Sequence, residues 1–294
     1  MSRTALLTFI VLILATVTAM AANNGGTVTV VHQFNGQDGG FPTAGLSADA
    51  TGNLYGTTQT DGPSNAGTIF QLSPNGKGGW KFTVIYAFTG GAHGGNPLGT
   101  LIFDAQGSGY GTASSGGADG AGVVYKLAPP ANGVEWQETV LYSFQAGSDG
   151  LLSFGEVVFD ALGNLYGTTS RGGVSHVGCL SGCGTVYELI PATNGPWLET
   201  VLHRFTDANG EGAEPRAGVV FDADGNLYGT TNSGGNNSVS ACNNFSSDGC
   251  GSVFELSPTS GGQWQLTRSA TLTPPTAVNR APAWRWMARD ISTV

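Results

Sequence analysis

Short hydrophobic stretches, separated by polar and glycine-rich ones, run through most of this chain. The hydrophobic stretches are four to nine residues long, are rich in Val, Ile, Thr, Tyr and Phe, and are bounded by Gly, Pro, Asn or Asp. Segments of this length and composition predict β-strands joined by tight turns.

The same four stretches return four times, so the chain is a tandem repeat. In the third copy they are "VVFD" (residues 157–160), "GNLYGTT" (163–169), "GTVYELIP" (184–191) and "WLETVLHRF" (197–205), which we call strands a, b, c and d. The tyrosine of strand b recurs at intervals of about 55 to 62 residues, and four strands per unit of this length are typical of a β-propeller blade. The sequence therefore predicts an all-β, β-propeller-like array of four four-stranded blades, which forms either a closed ring or an open, incomplete one.

The turn between strands a and b carries the most regular motif, Asp-Ala-x-Gly-Asn or close to it. We expect the aspartate to accept hydrogen bonds from backbone N–H groups two residues on, and the glycine to adopt the left-handed conformation of a tight hairpin. The following Leu and Tyr are expected to fill the space between blades, and the glycine after Tyr to leave room for a neighbouring strand or blade. The motif thus predicts a structural turn in every blade, at Asp49, Gly52, Tyr55, Asp104, Gly107, Tyr110, Asp160, Gly163, Tyr166, Asp222, Gly225 and Tyr228.

Composition supports a folded chain and excludes one class of partner. Charged residues make up 11% of the chain, 48 residues are glycine, and the net charge is −9. A disordered chain would need more charge and less hydrophobicity. Nucleic acid is not an expected partner, because phosphate binding needs clustered Lys and Arg.

The first 22 residues have the composition of a secretory signal peptide. Arg3 precedes an apolar run, and Ala19-Met20-Ala21 offers a cleavage site of small residues. An uncleaved membrane anchor is the alternative, and the polar residues 23–26 argue against it. We expect an exported protein, secreted or held in the cell envelope, with no transmembrane segment after cleavage. Its repeat domain is expected to span residues 26–269, and residues 270–294 are expected to form a disordered, non-repeat tail.

The four cysteines lie in the b–c loops of the last two blades. Export predicts that they are oxidised, and we favour the local pairs Cys179–Cys183 and Cys242–Cys250. A bridge between the two loops remains open, because four cysteines allow three connectivities. A zinc site is a further alternative, although the spacings C-x3-C and C-x7-C suit it poorly.

No metal or cofactor is expected. The segment Asp222-Ala-Asp224-Gly-Asn226 resembles the start of a calcium loop, but no glutamate follows at the distance that such a loop requires. A turn closed by the aspartate side chain is the favoured interpretation of this segment.

Candidate binding residues lie in the loops of one face. In an up-and-down blade the d–a and b–c loops emerge on the same face, and the b–c loops vary in length, as binding loops on a rigid scaffold do. His32 and His203 occupy the strand-d position of Tyr86 and Tyr142, so they are expected to be aromatic-sized wall residues. The candidate ligand-binding face is formed by the d–a loops, with Asp38, His93, Asp149, Asp207, Glu211 and Glu214.

The repeat resembles that of the GloVer tandem-repeat proteins of bacteria. The resemblance rests on "LYSF" at residues 141–144, "VFDADGNLYGTT" at 220–231 and "GTVYEL" at 184–189, and it covers about residues 27 to 267. It implies an exported or surface-attached propeller and carries over no activity.

Two functions from different classes are consistent with these features. The first is a non-catalytic exported protein, expected to be monomeric, that binds a glycan, a protein or a component of the cell envelope. The second is a carbohydrate-active hydrolase or lyase, which would need two converging carboxylates. No catalytic residues are assigned, since neither a Ser-His-Asp order nor a G-x-S-x-G elbow is visible, and a triad assembled from distant blades remains open.

The array has one d-like stretch more than it has a–b–c sets. Residues 26–34 ("GTVTVVHQF") have the pattern of strand d, and they precede the first strand a. The repeat pattern also breaks at about Thr267, inside the last strand d. We expect that the ancestral array continued and that the tail is not native; the alternative is a four-bladed ring in which the first strand displaces the last one.

Overall fold

In the computed structural model of this chain, the described residues form sixteen strands in four four-stranded antiparallel sheets. The structure describes residues 28–131, 133, 135–192, 195–208, 210–235 and 249–271, and the predicted signal peptide lies outside them. Within them there is no helix long and apolar enough to cross a membrane. The chain divides into two compact units, Met1–Val31 and His32–Val294, and all four sheets belong to the second.

Each sheet is one predicted blade, with its strands in sequence order. The all-β, propeller-like arrangement of four blades is therefore confirmed. A short 3-10 helix, Gly91–His93, lies in the loop after the first blade. The strands are β1 (Ser47–Ala48), β2 (Leu54–Thr58), β3 (Thr68–Pro74) and β4 (Trp80–Ala87) in blade 1; β5 (Ile102–Phe103), β6 (Gly109–Ala113), β7 (Val123–Ala128) and β8 (Gln137–Ser143) in blade 2; β9 (Val158–Phe159), β10 (Leu165–Thr169), β11 (Thr185–Ile190) and β12 (Leu198–Arg204) in blade 3; and β13 (Val220–Phe221), β14 (Leu227–Thr230), β15 (Ser252–Pro258) and β16 (Trp264–Thr271) in blade 4.

The a–b turns have the predicted hydrogen bonds. The Asp49 carboxylate accepts hydrogen bonds from the backbone N–H groups of Thr51 and Asn53 at 2.8 and 3.0 Å, and from the Tyr55 hydroxyl at 3.0 Å. Gly52 has φ +85°, the left-handed conformation that the turn requires. Burial opposes the ionisation of Asp49, yet the bonds from Asn53 and Thr51 hold its pKa well below the ordinary value. The turns at Asp104, Asp160 and Asp222 repeat these contacts.

The glycine after each strand-b tyrosine makes room for an aromatic ring of strand c. Gly167 lies directly opposite Tyr187 in the ladder, and a Cβ atom there would lie 2.4 Å from the Tyr187 hydroxyl oxygen. Such contacts essentially never occur, so the aromatic ring can cover the strand only because the side chain is missing. The same relation holds between Gly56 and Phe70, Gly111 and Tyr125, and Gly229 and Phe254.

The strand-b tyrosines fill the space between consecutive blades, as predicted. The ring of Tyr110 in blade 2 lies 4.9 Å from that of Phe159 and 6.4 Å from that of Trp197, both near or in blade 3 strands. Tyr55 and Tyr166 make the corresponding contacts with the blade that follows each of them. Three buried clusters therefore join blade 1 to 2, blade 2 to 3, and blade 3 to 4.

Two strands differ from their predicted bounds. The described part of the predicted first strand, residues 28–34, forms no strand, although His32 and Phe34 pack on Phe82 and Phe70 of blade 1. At the other end, β16 continues to Thr271, past the break in the repeat at Thr267 and past the predicted domain end at residue 269. The strand continues there because its pairing with β15 is made by backbone hydrogen bonds, which do not require the side chains of the repeat. The rest of the predicted tail, residues 272–294, lies outside the described residues.

Candidate functional site

The d–a and b–c loops lie side by side on one face, as predicted. An isolated antiparallel bridge joins each d–a loop to the b–c loop of the blade that it enters, for example Gly40 to Thr60 and Leu151 to Arg171. We call the places where the d–a loops enter blades 2, 3 and 4 junctions 1–2, 2–3 and 3–4, and the place where residues 32–40 meet blade 1 the N-terminal junction.

Hydroxyl groups of the repeat motif hold the d–a loops in place. In blade 3 the Thr169 hydroxyl lies 2.8 Å from that of Thr185, which donates to the Asp149 carbonyl at 3.5 Å. In blade 1 the corresponding donor, Thr68, lies 3.0 Å from the Asp38 carbonyl. The threonine that begins strand c, in contact with the second threonine of GNLYGTT, thus fixes the backbone next to a candidate site residue. Blade 2 has Ala113 and Val123 at these positions and makes no such bond.

The N-terminal junction holds a histidine–carboxylate pair. His32 Nε2 lies 2.8 Å from Asp38 Oδ2, and the His32 ring stacks on Phe82 with 3.5 Å between ring centres. Partial burial opposes ionisation, but hydrogen bonds from the Asn35 N–H and from His32 lower the pKa of Asp38. His32 is therefore a wall residue, as predicted, and also the partner of a candidate site residue.

Junction 1–2 contains a buried glutamate below an exposed histidine. His93 Nδ1 lies 2.9 Å from Glu138 Oε2, and the Glu138 side chain is only 3% exposed whereas that of His93 is 59% exposed. Burial and then the charge of Glu138 raise the pKa of Tyr86 to about 12. Glu138 Oε1 and the hydroxyl of fully buried Tyr125 have no hydrogen-bond partner in the described part of the chain.

Junction 2–3 contains two carboxyl groups instead. The Tyr142 hydroxyl and the Gln145 N–H both donate to Asp149 Oδ2, at 2.9 Å each. Burial and then the charge of Asp149 raise the pKa of Glu199 to about 7, against a smaller opposing effect of Arg204. A glutamic acid whose pKa lies this high can hold a proton at neutral pH.

The junction 3–4 loop uses its acidic residues to bind neighbouring loops and strands. Glu211 Oε2 lies 3.4 Å from His203 Nε2, and Glu211 also accepts short hydrogen bonds from Thr206. Burial opposes the effect, but the His203 and Thr206 contacts lower the pKa of Glu211. Glu214 pairs with Arg171 of the preceding b–c loop at 3.5 Å and with Arg216 at 3.2 Å.

The candidate residues share a face, but the described contacts do not join them into one constellation. Asp38, His93, Asp149, Glu211 and Glu214 each contact other side chains rather than one another. Asp207 lies in the same loop as Glu211, with φ +57°. The arrangement is a series of separate polar junctions, one per d–a loop.

Glu138 and Glu199 lie at the candidate site, although the repeat motifs did not point to them. Both are the third residue of the Trp-led phrase, where blade 1 has Phe82 and blade 4 has Leu266. The repeat alignment does contain a signal for these two residues. A glutamate stands at a position that is apolar in two of the four copies, and this position places its carboxyl group in the layer between blades.

The b–c loop of blade 3 is a short hairpin closed by a disulfide. Cys179 is bonded to Cys183, as predicted, and both cysteines are buried. The tip of the hairpin exposes Val177 and Leu180, which are 87% and 82% exposed. Cys250 is also disulfide-bonded, but its predicted partner, Cys242, lies outside the described residues.

No group of three or more His, Cys, Asp or Glu side chains is placed to hold a metal ion in the described ranges. The segment that resembles a calcium loop uses Asp222 in its turn, where the Asn226 side chain contributes most to lowering the aspartate pKa.

Several solved structures are similar to this chain at low identity. A periplasmic gluconolactonase of Pseudomonas aeruginosa is 14% identical with a TM-score of 0.47, and the match covers 80% of this chain and 58% of that one. An α-L-arabinofuranosidase of Clostridium thermocellum is 10% identical with a TM-score of 0.44, over 79% of this chain and 72% of that one. These likenesses carry no conclusion about activity.

Sequence comparison assigns the family. No curated protein matches the chain. The model of the Gloeobacter/Verrucomicrobia repeat matches residues 15–181, which is more than half of the sequence. This match agrees with the resemblance seen in the repeat motifs, and the chain belongs to the Gloeobacter/Verrucomicrobia repeat family.

Proposed function

We propose that this protein is an exported, non-catalytic binding or scaffold module whose ligand, a glycan, a protein or an envelope component, contacts the face formed by the d–a and b–c loops. The observation that carries the proposal is that the candidate acidic side chains pair with neighbouring side chains of the same face. The carboxylates of Asp38, Glu211 and Glu214 each pair with a histidine or arginine side chain. Such contacts are expected where acidic residues hold loops in place on a rigid scaffold.

The b–c loop of blade 3 supplies a second reason to favour binding. Its disulfide closes a hairpin at whose tip Val177 and Leu180 are largely exposed to solvent. A rigid loop that exposes apolar side chains loses little conformational entropy when a ligand covers them. Loops on a rigid scaffold are where binding usually resides.

Export is part of the same proposal. The disulfide between Cys179 and Cys183 is stable in an oxidising compartment, and the first 22 residues have the features of a signal peptide. Expression of the full chain in a bacterial host tests this point. A periplasmic or secreted product that begins near Asn23 is the expected result, and a cytoplasmic product with its N-terminus intact contradicts it.

A carbohydrate-active enzyme is the second candidate, and one specific observation favours it. Asp149 and Glu199 at junction 2–3 are electrostatically coupled carboxyl groups, one of them with a pKa of about 7. Glycosidases use a pair of carboxyl groups with different protonation states. Against this role, Glu199 Oε1 is buried, so that a substrate would have to open the junction to reach it.

The test is a panel of glycans and polysaccharides incubated with the purified protein, with binding and product formation measured separately. Binding without turnover supports the proposal. Turnover that is lost in both Glu199→Gln and Asp149→Asn would support the enzyme and reject the binding module. The matched control is Glu156→Gln, which changes an acidic residue outside both junction pairs.

A further inference from the structure

The trailing face of blade 4, which is the face turned away from blade 3, is exposed where the other blades are covered. Ile69, Val124 and Val186 lie on the trailing faces of blades 1, 2 and 3, and each is fully buried against the next blade. Val253 occupies the same repeat position in blade 4 and is partly exposed. Tyr228 is also partly exposed, whereas the other strand-b tyrosines are 3% to 5% exposed. The array therefore ends, among the described residues, on an apolar surface in contact with water.

Two aromatic side chains cover the strand-b tyrosine at each internal interface. Tyr110 packs on Phe159, which belongs to strand a of the next blade, and on Trp197, which leads strand d of that blade. Tyr55 and Tyr166 each pack on the corresponding pair of rings. Within the described ranges Tyr228 has no such pair. A segment that covers blade 4 should therefore bring large apolar or aromatic side chains to this face.

The chain itself runs along the trailing face as it leaves each blade. In blade 4 the first threonine of GNLYGTT is Thr230, and the segment that leaves the blade begins at Leu272, directly after β16. Residues 272–294 thus start where the covering loop starts in the other three blades. There the threonine donates to a carbonyl of the departing d–a loop: Thr57 to Gly99 at 3.2 Å, Thr112 to Gly155 at 2.9 Å and Thr168 to Ala217 at 2.8 Å.

The other end of the array shows that a segment outside the blades can cover a terminal blade. The Phe34 ring of the first d-like stretch lies 5.3 Å from the ring of Phe70 in blade 1. Phe205 makes the equivalent contact with Phe254 between blades 3 and 4, at 5.1 Å. The described part of the first d-like stretch forms no strand, so a repeat-like segment can pack on a blade without belonging to a sheet.

The spacing within residues 272–294 matches that of the d–a loop before blade 4. Val219 follows Phe205, the first residue after strand d, by 14 residues, and it is buried between blades 3 and 4. Trp286 follows Leu272, the first residue after β16, by the same 14 residues. A proline stands four residues before both Val219 and Trp286. The spacing therefore puts an indole ring at the position from which a following blade covers its predecessor.

The charges of the face and of the segment are complementary. Glu255 stands opposite Tyr228 in the strand ladder, which places its side chain on the trailing face, and the Tyr228 hydroxyl donates to Asp222 at 3.1 Å. A basic segment is attracted to such an acidic surface. Although the whole chain has a net charge of −9, the charged side chains of residues 272–294 are three arginines and one aspartate: Arg280, Arg285, Arg289 and Asp290.

We propose that residues 272–294 dock on the trailing face of blade 4 of the same chain, with Trp286 packed against Val253 and Tyr228. The segment caps the array, as terminal elements of repeat proteins do, and removes apolar surface from water. This differs from the expectation of a disordered tail, which rested on the loss of the repeat phrases and on no feature of the blade faces. A capped face also keeps the chain monomeric.

Trypsin cleavage of the full purified protein tests the proposal. Trypsin cuts after Arg285, and a synthetic peptide of residues 272–294 gives the cleavage rate of the undocked segment. A docked segment is cut only when it opens, so we expect cleavage after Arg285 to be at least about 10-fold slower in the protein than in the peptide. Val253→Glu buries a charge in the contact and should bring the rate to within about 3-fold of that of the peptide.

Matched controls exist on both sides of the contact. Leu162→Glu introduces the same charge in an a–b turn, where Leu162 is 84% exposed, and should keep the protection. Within the segment, Trp286→Ser should lose the protection and Ile291→Ser should keep it. Each is compared with a peptide of its own sequence, because Trp286 adjoins the cleavage site. If Val253→Glu unfolds by circular dichroism, Thr230→Glu replaces it.

Three results overturn the proposal. The first is an equal rate of cleavage after Arg285 in the protein and in the peptide. The second is protection that persists when the trailing face carries the new glutamate. The third is protection that grows as the protein concentration rises from about 1 to 100 µM, because a second copy would then cover the face.

Discussion

Junctions 1–2 and 2–3 are built from the same repeat positions and yet have different chemistry. In both, the strand-d tyrosine, the d–a loop residue and the third residue of the next Trp-led phrase meet between two blades. At junction 1–2 the last two are His93 and Glu138, whose Nδ1 and Oε2 atoms lie 2.9 Å apart. At junction 2–3 they are Asp149 and Glu199, two acids of which one has a raised pKa.

The aromatic framework below these residues is the same at both junctions. The rings of Tyr86 and Phe88 are 5.0 Å apart, those of Phe88 and Tyr125 are 5.2 Å apart, and both pairs are edge-to-face. At junction 2–3 the corresponding pairs, from Tyr142 to Phe144 and on to Tyr187, are each 5.2 Å apart. The repeat therefore fixes the scaffold, while the polar layer above it is free to differ from one junction to the next.

The glycines opposite Tyr125 and Tyr187 test whether the scaffold is equivalent at the two junctions. We expect Gly111→Ala and Gly167→Ala each to lower the free energy of unfolding by about 3 kcal/mol, because the new Cβ atom would lie within 2.5 Å of a buried tyrosine oxygen. Urea denaturation of the two variants measures this. Costs that differ by more than about 1 kcal/mol between the two would show that the scaffolds are not equivalent.

The control for these two variants is Gly163→Ala. Gly163 has φ +85° and no atom within 4 Å of a Cβ, so alanine there brings backbone strain without a clash. We expect a cost of about 1 kcal/mol. If Gly111→Ala costs no more than this control, the tyrosine ring moves aside easily and the steric explanation of the motif is wrong.

The contact between His93 and Glu138 at junction 1–2 is expected to be stabilising. Glu138→Gln keeps the size of the side chain and removes its charge, so the contact with His93 loses its charge-assisted character. We expect a loss of about 1 to 2 kcal/mol at neutral pH, towards the lower end because His93 is more than half exposed. A double-mutant cycle with His93→Ala measures the coupling, and a coupling energy near zero contradicts the expectation.

The pair at junction 2–3 should respond to the equivalent substitution in the opposite direction. The pKa of Glu199 is about 7 in the folded protein and 4.5 as the ordinary value, so folding favours its protonated form. As pH rises from 4.5 to 7, the unfolded chain ionises while the folded one keeps its proton, and stability falls. After allowance for solvent screening, we expect Glu199→Gln to stabilise the protein by about 1 to 2 kcal/mol at pH 8 and by almost nothing at pH 4.

Asp149→Asn separates the two causes of the raised Glu199 pKa. Burial is the larger cause and the Asp149 charge the smaller one, so the asparagine variant should keep part of the pH dependence and lose the rest. Urea denaturation between pH 4 and pH 8 measures both variants. If the stability of the wild type rises between pH 4 and pH 8 while that of Glu199→Gln falls, Glu199 does not hold a proton in the folded protein.

The sequence predicted what is repeated and missed what varies. The bonds of Asp49 and the need for glycine at position 56 follow from local turn chemistry and from a motif that recurs in every blade. Glu138 and Glu199 escaped notice because polar residues in a half-exposed strand are normally solvated, and only the neighbouring blade buries them. The first d-like stretch, residues 28–34, shows both outcomes. Its aromatic side chains make the ring contacts that the motif predicts, but it forms no strand, because strand pairing depends on a partner strand that the motif does not supply.

The smallest expected effect comes from the hydroxyl groups of Tyr125 and Tyr187. The Tyr187 hydroxyl lies 3.3 Å from Ser153 Oγ, but the d–a loop of junction 1–2 has Pro97 at that repeat position, and the Tyr125 hydroxyl has no hydrogen-bond partner among the described residues. A buried hydroxyl without a partner is destabilising, whereas a long hydrogen bond contributes little. Tyr125→Phe should therefore raise the free energy of unfolding by up to about 1 kcal/mol, and Tyr187→Phe should lower it by about 0.5 kcal/mol. Thermal and urea denaturation of the two variants give the sign of each change in stability. Equal losses of stability would mean that a bound water forms a hydrogen bond with the Tyr125 hydroxyl, and that the two junctions are closer in chemistry than their side chains indicate.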